Sequence, residues 1–293
     1  MANLAPGRDA PIVLLGSRSR AGAALKRAFS DRTIIGICRE PGGGELAVAD
    51  YDRVPEGAIP SGAVLINCLG RSEGDAATLH RVNVELPLRW AEAARAADGR
   101  VLHLSSFSVY GAASLIGAAT PERPAGAYGE SKLAGDRALL SLADDRFRVT
   151  VLRLPILIGE GDDKLVRLIR LLRRTGFLPV PAGPVHRSML AYADLGTVVG
   201  KALDGDGILH AADPEPFSYA LLGETMAGAG LKLRTPTAPA WLIGAARTLA
   251  PGIGRRLYAS SLLDPAANLA RGLPLPVGLR RVLAAMLAAE GMR

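Results

Sequence analysis

The chain has 293 residues, of which 49% are hydrophobic, 22% charged and only 4% aromatic; this excludes a globally disordered protein and calls for an aliphatic core, as in parallel sheets buried on both faces. The formal net charge of +7 points to an anionic partner. No basic stripe with interleaved aromatics is present, which argues against nucleic acid and for a phosphorylated small molecule, with solvated surface arginines as the plainer alternative.

In chain order, short apolar runs at 11–15, 33–38, 63–68, 100–105 and 148–154 read as buried strands. Between them, residues 21–29, 78–97 and 128–143 carry apolar side chains at helical spacing. This alternation predicts an α/β fold with a Rossmann-type, doubly wound parallel sheet. After about residue 157 the alternation loosens at Pro179, Pro181, Gly183 and Pro184. The expected division is a dinucleotide-binding domain over 1–157 and a smaller substrate-binding lobe over 158–293, with some elements of the second half returning to the first domain. Asp194 is expected to cap a helix through Leu203, and Ser218 one beginning at Tyr219. A helix over 241–249, followed by Arg255 and Arg256, reads as packed on the lobe in preference to lying on a membrane surface.

Cys38 and Cys68 each end an apolar run and read as buried free thiols in a reducing compartment. His80, His103, His186 and His210 lack metal-ligand spacing. No run reaches the roughly 18 uninterrupted apolar residues of a membrane span, and the first residues lack the apolar core of a signal peptide. The expectation is a cytoplasmic protein with no integral membrane segment.

Directly after the first strand comes Gly16-Ser17-Arg18-Ser19-Arg20-Ala21-Gly22, a glycine-bearing turn that opens a helix. Such a turn sets a pyrophosphate on the helix N-terminus, with the first glycine allowing the tight turn and the last allowing the helix to pack close. Arg18, Arg20 and Arg39 surround one corner and favour NADP, because an arginine there suits a 2′-phosphate. Glu40, a ribose acceptor, keeps NAD open, and solvated arginines are the plainer reading.

Tyr128 and Lys132 are four positions apart, on one face of a helix. A free phenol with pKa near ~10 exchanges protons poorly at neutral pH, and a nearby ammonium lowers that value, so the pair suits general acid–base work at a carbonyl or alcohol. The strand before it ends in a serine cluster, Ser105-Ser106-Phe107-Ser108.

Residues 105–111, Ser-Ser-Phe-Ser-Val-Tyr-Gly, with Tyr128 and Lys132, resemble the motifs of the extended short-chain dehydrogenase/reductase superfamily, particularly its bacterial nucleotide-sugar epimerases and 4-ketoreductases. Arg81-Val82-Asn83-Val84 is similar to the family's helix-opening Val-Asn-Val, and Leu152-Arg153-Leu154-Pro155 to its Leu-Arg-Pro strand. His186-Arg187-Ser188, followed by Ala193-Asp194-Leu195, resembles the segment whose arginine grips the pyrophosphate of the sugar nucleotide. The middle glycine of the family's turn is Ser19 here, which puts a side chain where backbone approaches phosphate.

The resemblance implies Ser106, Tyr128 and Lys132 as catalytic residues, and Ser105, Ser106 and Arg187 as substrate ligands. It implies Gly16 to Gly22, Arg39, Asp50, Leu69, Gly70, Tyr128, Lys132 and Pro155 as the cofactor site, and no metal. It further implies a nucleotide-sugar substrate, hydride transfer to or from NADP or NAD, and a homodimer paired through the helices at 78–97 and 128–143. Two other readings stay open. One is a non-catalytic dinucleotide sensor or assembly protein, which Ser19 favours; the other is a reductase of a small carbonyl, for which Arg187 is dispensable.

Overall fold

The structure, a computed structural model, describes residues 10–40, 42, 44–159, 163–249 and 259–291. Strands form where aliphatic runs are flanked by turn residues. In the first half these are β1 (Ile12–Leu15), β2 (Ile34–Cys38), β3 (Glu45–Ala47), β4 (Val64–Asn67), β5 (Arg100–Ser106), β6 (Leu115–Ile116) and β7 (Val149–Leu154). Helices α1 (Arg20–Ala28), α2 (Ala76–His80), α3 (Leu86–Ala96) and α4 (Ala127–Leu140) alternate with them. Further along come β8 (Ile156–Ile158), α5 (Asp163–Thr175), β9 (His186–Arg187), β10 (Met189–Ala191), α6 (Leu195–Ala202), β11 (Gly207–His210), β12 (Phe217–Ser218), α7 (Tyr219–Gly228), α8 (Ala240–Leu249), β13 (Leu262–Leu263) and α9 (Gly278–Gly291).

The chain divides into two compact units. The first comprises Met1–Ala112, Pro121–Pro155 and Leu195–Ala211. Its seven strands form one parallel sheet in the order β3-β2-β1-β4-β5-β7-β11. This is the doubly wound arrangement expected from the alternation. Strand order reverses at β1, so a ligand crevice is expected at the carboxyl ends of β1 and β4. The core on one face is aliphatic apart from Trp90 and Phe147, with Val13, Leu15, Ile37, Leu65, Val101, Val149 and Val151 buried, and on the other face Ile12, Leu14, Val64, Ile66 and Leu102 are buried too.

The helix expected over 78–97 is α2 and α3 joined by a π-helical turn, Arg81–Glu85. The Val-Asn-Val segment therefore lies inside a continuous helix and does not open one. Asn83 in that turn is fully buried; it accepts from the Arg71 amide (2.9 Å) and donates to Arg71 O and Ser131 Oγ (both 2.9 Å). It thereby ties the loop after β4 to α4. A Cβ on Gly135 of α4 would lie 2.2 Å from Asn83 O, so only glycine allows this approach.

The second unit comprises Ala113–Thr120, Ile156–Asp194 and Ala212–Arg293. It holds three two-stranded pairings, β8 with β10, β9 with β12, and β6 with β13. Around them α5, α7 and α9 enclose Ile169, Leu172, Leu221, Leu222, Leu283 and Leu287. Ser218 caps α7, its hydroxyl accepting from the Leu221 amide at 3.1 Å, as expected. Asp194 does precede α6, but its carboxylate turns elsewhere, accepting from the amides of Val277 and Gly278 (2.8 Å each) at the start of α9. In α8, Ile243 is buried and Trp241 is 72% exposed; Arg255 and Arg256 lie outside the described residues. Among the described residues no helix is long and apolar enough to cross a membrane, and no group of three metal-ligating side chains assembles.

Candidate active site

The turn after β1 builds one end of the site. Gly16 has φ +78°, a left-handed conformation that favours glycine. A Cβ on Gly22 would lie 2.4 Å from Gly16 O, so the helix start and the turn are packed backbone to backbone. Ser19 does not crowd this turn. Its φ of −63° and ψ of 160° suit any residue, and its hydroxyl is the N-cap of α1, accepting from the Gly22 amide at 3.0 Å. Helix α1 has no acidic residue in its first turn. Its N-terminal partial positive charge is therefore not met by a carboxylate from the helix itself.

Arg18, Ser19, Arg20, Arg39 and Glu40 are exposed around this corner, while Ser17 is buried. The Ser17 hydroxyl donates to Glu45 Oε1 at 2.8 Å. Asp50 is exposed and closes a local turn, accepting from the Asp52 amide at 3.0 Å. At the end of β4 the Leu69 amide donates to Asn67 Oδ1 (3.0 Å), and Gly70 follows, exposed.

The second end is made by β5 and α4. Ser106 lies at the last position of β5, and its hydroxyl accepts from the Ser108 amide (3.1 Å), starting the short helical turn Phe107–Tyr110. Gly129, one position after Tyr128, lets α4 lie against that turn: a Cβ there would be 2.7 Å from Ser108 O. Tyr128 stands near enough to Ser106 for that side chain to act on its phenol. Burial pushes the Tyr128 phenol above its usual range, the Ser106 contact pulls it back, and Asp136 adds to the rise. The expected lowering by Lys132 is thus not found in the chain alone.

Lys132 explains why. It is only 3% exposed, and its Nζ donates to Leu104 O (2.9 Å) while lying 2.9 Å from His103 Nε2. Burial brings its ammonium down to about 8, against the opposing charge of Asp136. The hydrogen-bond pattern agrees. Asn67 Oδ1 is held by the Leu69 amide, so its Nδ2 donates to His103 Nδ1 at 2.7 Å. His103 then carries its proton on Nε2, facing Lys132, an arrangement that suits the amine form of Lys132, which a group brought down to about 8 reaches above that pH. Burial, then the Lys132 charge, holds the His103 pKa well below its usual value.

Behind this pair lies a second buried set. Asp136 Oδ2 accepts from Arg153 Nε (2.9 Å), and Arg153 Nη1 donates to the Tyr110 hydroxyl (2.7 Å). Tyr110 in turn contacts His210 Nε2. Ser105, expected beside the substrate, is 8% exposed and faces Asp136, while Ser106 is the more open of the two. Pro155 directly follows β7, and Arg187 belongs to the second unit, where its Nη1 donates to Ala259 O at 3.3 Å.

Glu45, Asn67, His103 and Asp136 are functional candidates that motif matching passes over. Asn67 and His103 leave one trace in the sequence: each is a polar side chain inside an otherwise aliphatic run. Glu45 leaves none, because β3 is three residues long and follows a glycine-rich stretch.

A seven-stranded parallel sheet with a glycine turn after β1 and with Ser106, Tyr128 and Lys132 gathered on β5 and α4 is a Rossmann-type scaffold. The NAD dependent epimerase/dehydratase family matches residues 49–196, just over half of the chain, and the protein belongs to that family. It is 29% identical over 220 residues to a dTDP-4-dehydrorhamnose reductase of Mycolicibacterium smegmatis, a match spanning 69% of this chain and 64% of that protein. The chain thus spans less than two thirds of that curated relative. Among solved structures, MoeE5 in complex with UDP-glucuronic acid and NAD superposes with a TM-score of 0.73 at 22% identity, covering 95% of this chain and 98% of the other. Human epimerase family protein SDR39U1 with NADPH gives 0.72 at 16% identity, covering 95% and 99%.

Proposed function

We propose that the protein is an NAD(P)-dependent oxidoreductase or epimerase that acts on a nucleotide-activated sugar. The observation that carries this reading is the gathering of Ser106, at the carboxyl end of β5, with Tyr128 on α4, whose phenol feels the Ser106 side chain, and Lys132, buried one helical turn further along α4. Relatives and neighbours in the family support the substrate class, since they are a dTDP-sugar reductase and a protein bound to a UDP-sugar.

The glycine turn suits a dinucleotide. Gly16 holds a left-handed φ of +78°, Gly22 leaves no room for a Cβ, and α1 presents N-terminal polarity to a pyrophosphate. Gly16 to Gly22, Leu69 and Gly70 are the residues assigned to hold it, with Asp50 and Arg39 towards the adenosine and Tyr128, Lys132 and Pro155 towards the nicotinamide. Bound there, the dinucleotide supplies the hydride donor or acceptor for interconverting a sugar alcohol and ketone. Tyr128 holds the proton exchanged with the sugar oxygen at its hydroxyl. Ser106 orients that oxygen through a preorganised hydrogen bond. Lys132 sits next to Tyr128 on the helix, and Arg187 is assigned to the diphosphate of the substrate, for which a guanidinium fork is suited. A homodimer paired through α3 and α4 goes with this reading.

Ser19 gives no ground for preferring a non-catalytic sensor, because its side chain caps α1. The direct test is titration of the purified protein with NADH and NADPH, followed by nicotinamide fluorescence, and then assay of sugar-nucleotide 4-ketones. Single delivery of hydride from exchanged cofactor marks a reductase; interconversion of sugar epimers without net cofactor turnover marks an epimerase. Binding of neither dinucleotide overturns the proposal.

A further inference from the structure

Glu45 lies on β3, paired in register with Gly36 of β2, next to the turn that follows β1. A Cβ on Gly36 would be 3.0 Å from Ser17 Oγ and 3.2 Å from Glu45 Cγ, so this glycine leaves the space in which the two side chains meet. Glu45 Oε1 accepts from Ser17 Oγ (2.8 Å) and Lys26 Nζ (2.7 Å). Its Oε2 accepts from the Gly42 amide (3.0 Å), with Cys38 Sγ at 3.5 Å and Arg18 Nη1 at 3.6 Å. The side chain is 4% exposed, whereas Arg18 and Lys26 are 54% and 40% exposed. Hydrogen bonds from Lys26 and Gly42 bring the carboxyl down to about 2, so it is charged at neutral pH.

Of the cations at this corner, Arg18 and Lys26 therefore already share an anion, while Arg20 and Arg39 stay exposed beside them. Such a phosphate carries nearly two negative charges at neutral pH. To use Arg18 it must share a guanidinium with a carboxylate that is 4% exposed and held by Ser17, Lys26 and the Gly42 amide, and like charges close to one another repel. A free 2′-hydroxyl meets no such cost. We infer that Glu45 is a specificity-determining residue for the cofactor: its single negative charge offsets part of the positive charge of Arg18 and Lys26 and tilts the site towards the dinucleotide without a 2′-phosphate. This rests on the dinucleotide reading above, and it opposes the preference for NADP drawn from the arginines of the sequence alone.

The test compares NADH and NADPH affinities, by nicotinamide fluorescence, for the full chain and for Glu45→Gln, with a thermal melt to check folding. The native chain is expected to bind NADH at least as tightly as NADPH. Glu45→Gln is expected to tighten NADPH by about tenfold while moving NADH by less than about twofold. A second measurement needs no variant: calorimetric titration of the native chain with NAD+ and NADP+ at pH 8 and pH 5.5. Glu45 stays ionised across this range, whereas a phosphate with second pKa near ~6 gains a proton. If Glu45 sets selectivity, NADP+ binding improves relative to NAD+ at the lower pH. A native chain that prefers NADPH tenfold or more, or an NADP+ affinity that weakens on acidification, overturns the inference while leaving the dinucleotide reading intact. Binding of no dinucleotide at all overturns both.

Discussion

Lys132 is a basic side chain held away from water by the element that carries the site, and its partners make its charge conditional. As an amine it completes a chain in which Asn67 donates to His103 and His103 donates to Lys132. As an ammonium it requires His103 to move its proton to Nδ1 and Asn67 to turn its amide over. One lysine Cε signal in a 13C NMR titration, absent in Lys132→Met, is therefore expected to titrate near pH 8; a transition near 10.5 refutes the pattern. Tyr128→Phe removes the phenolic hydroxyl and keeps the ring, so turnover is expected to fall by roughly 10² to 10⁴, with NADH affinity falling far less because Tyr128 is one of many residues assigned to the dinucleotide. A loss of NADH affinity as steep as the loss of turnover would make Tyr128 a ligand of the cofactor and not the proton carrier. Tyr128, Lys132 and Ser106 were legible in the sequence because their spacing is fixed by one helix and one strand end. Glu45 and His103 were not, because their contacts cross from strand to strand or from strand to helix, which no local spacing encodes.

At the scale of elements, the five strands and three helices expected in the first half correspond to strands and helices of the structure, with boundaries moved by up to three residues, as fraying of hydrogen bonds at element ends allows. Strands β3 and β11 escaped the reading: one has three residues, and the other, Gly-Ile-Leu-His, is too short to show a period. The π-helical turn escaped too, since its cause is tertiary, the close approach of Gly135 to Asn83 O. Asp194 shows how a correct position can hide a different use. It precedes α6 as a cap would, yet its two oxygens hold the first amides of α9, more than 80 positions away, with Asp213 taking the Leu279 amide at 2.6 Å. Asp194 is fully buried, so Asp194→Ala leaves two amides without partners. The expected cost is about 2–3 kcal/mol by urea unfolding. A change below about 0.5 kcal/mol would mean that water replaces the carboxylate.

For the molecule as a whole, the buried titratable groups pull stability in opposite directions as pH falls, and their order predicts the shape of the acid limb. His210 accepts from Tyr110 while Arg153 donates to the same hydroxyl; burial, then the Arg153 charge, brings its pKa down to about 4. The unfolded chain binds that proton near 6.5, so the stability His210 contributes is present above about 6.5 and is lost as pH falls towards 4. His103, also held low, acts in the same sense. Glu45 follows later: its contribution is present above about 4.5 and is lost as pH falls to about 2. Asp136 and Asp213 are raised by burial and act oppositely, because the fold takes up their protons more readily than the unfolded chain does. Two histidines titrating before Glu45 should therefore lower Tm between pH 6.5 and 4, ahead of any loss of the Glu45 contacts. Thermal melts of the native chain and of His210→Gln, which keeps an acceptor for Tyr110 but cannot ionise, separate these contributions. The variant is expected to show a shallower fall across that window and the native slope below pH 4. Equal slopes above pH 4 would remove His210 from the acid response and leave it to His103 and the carboxylates.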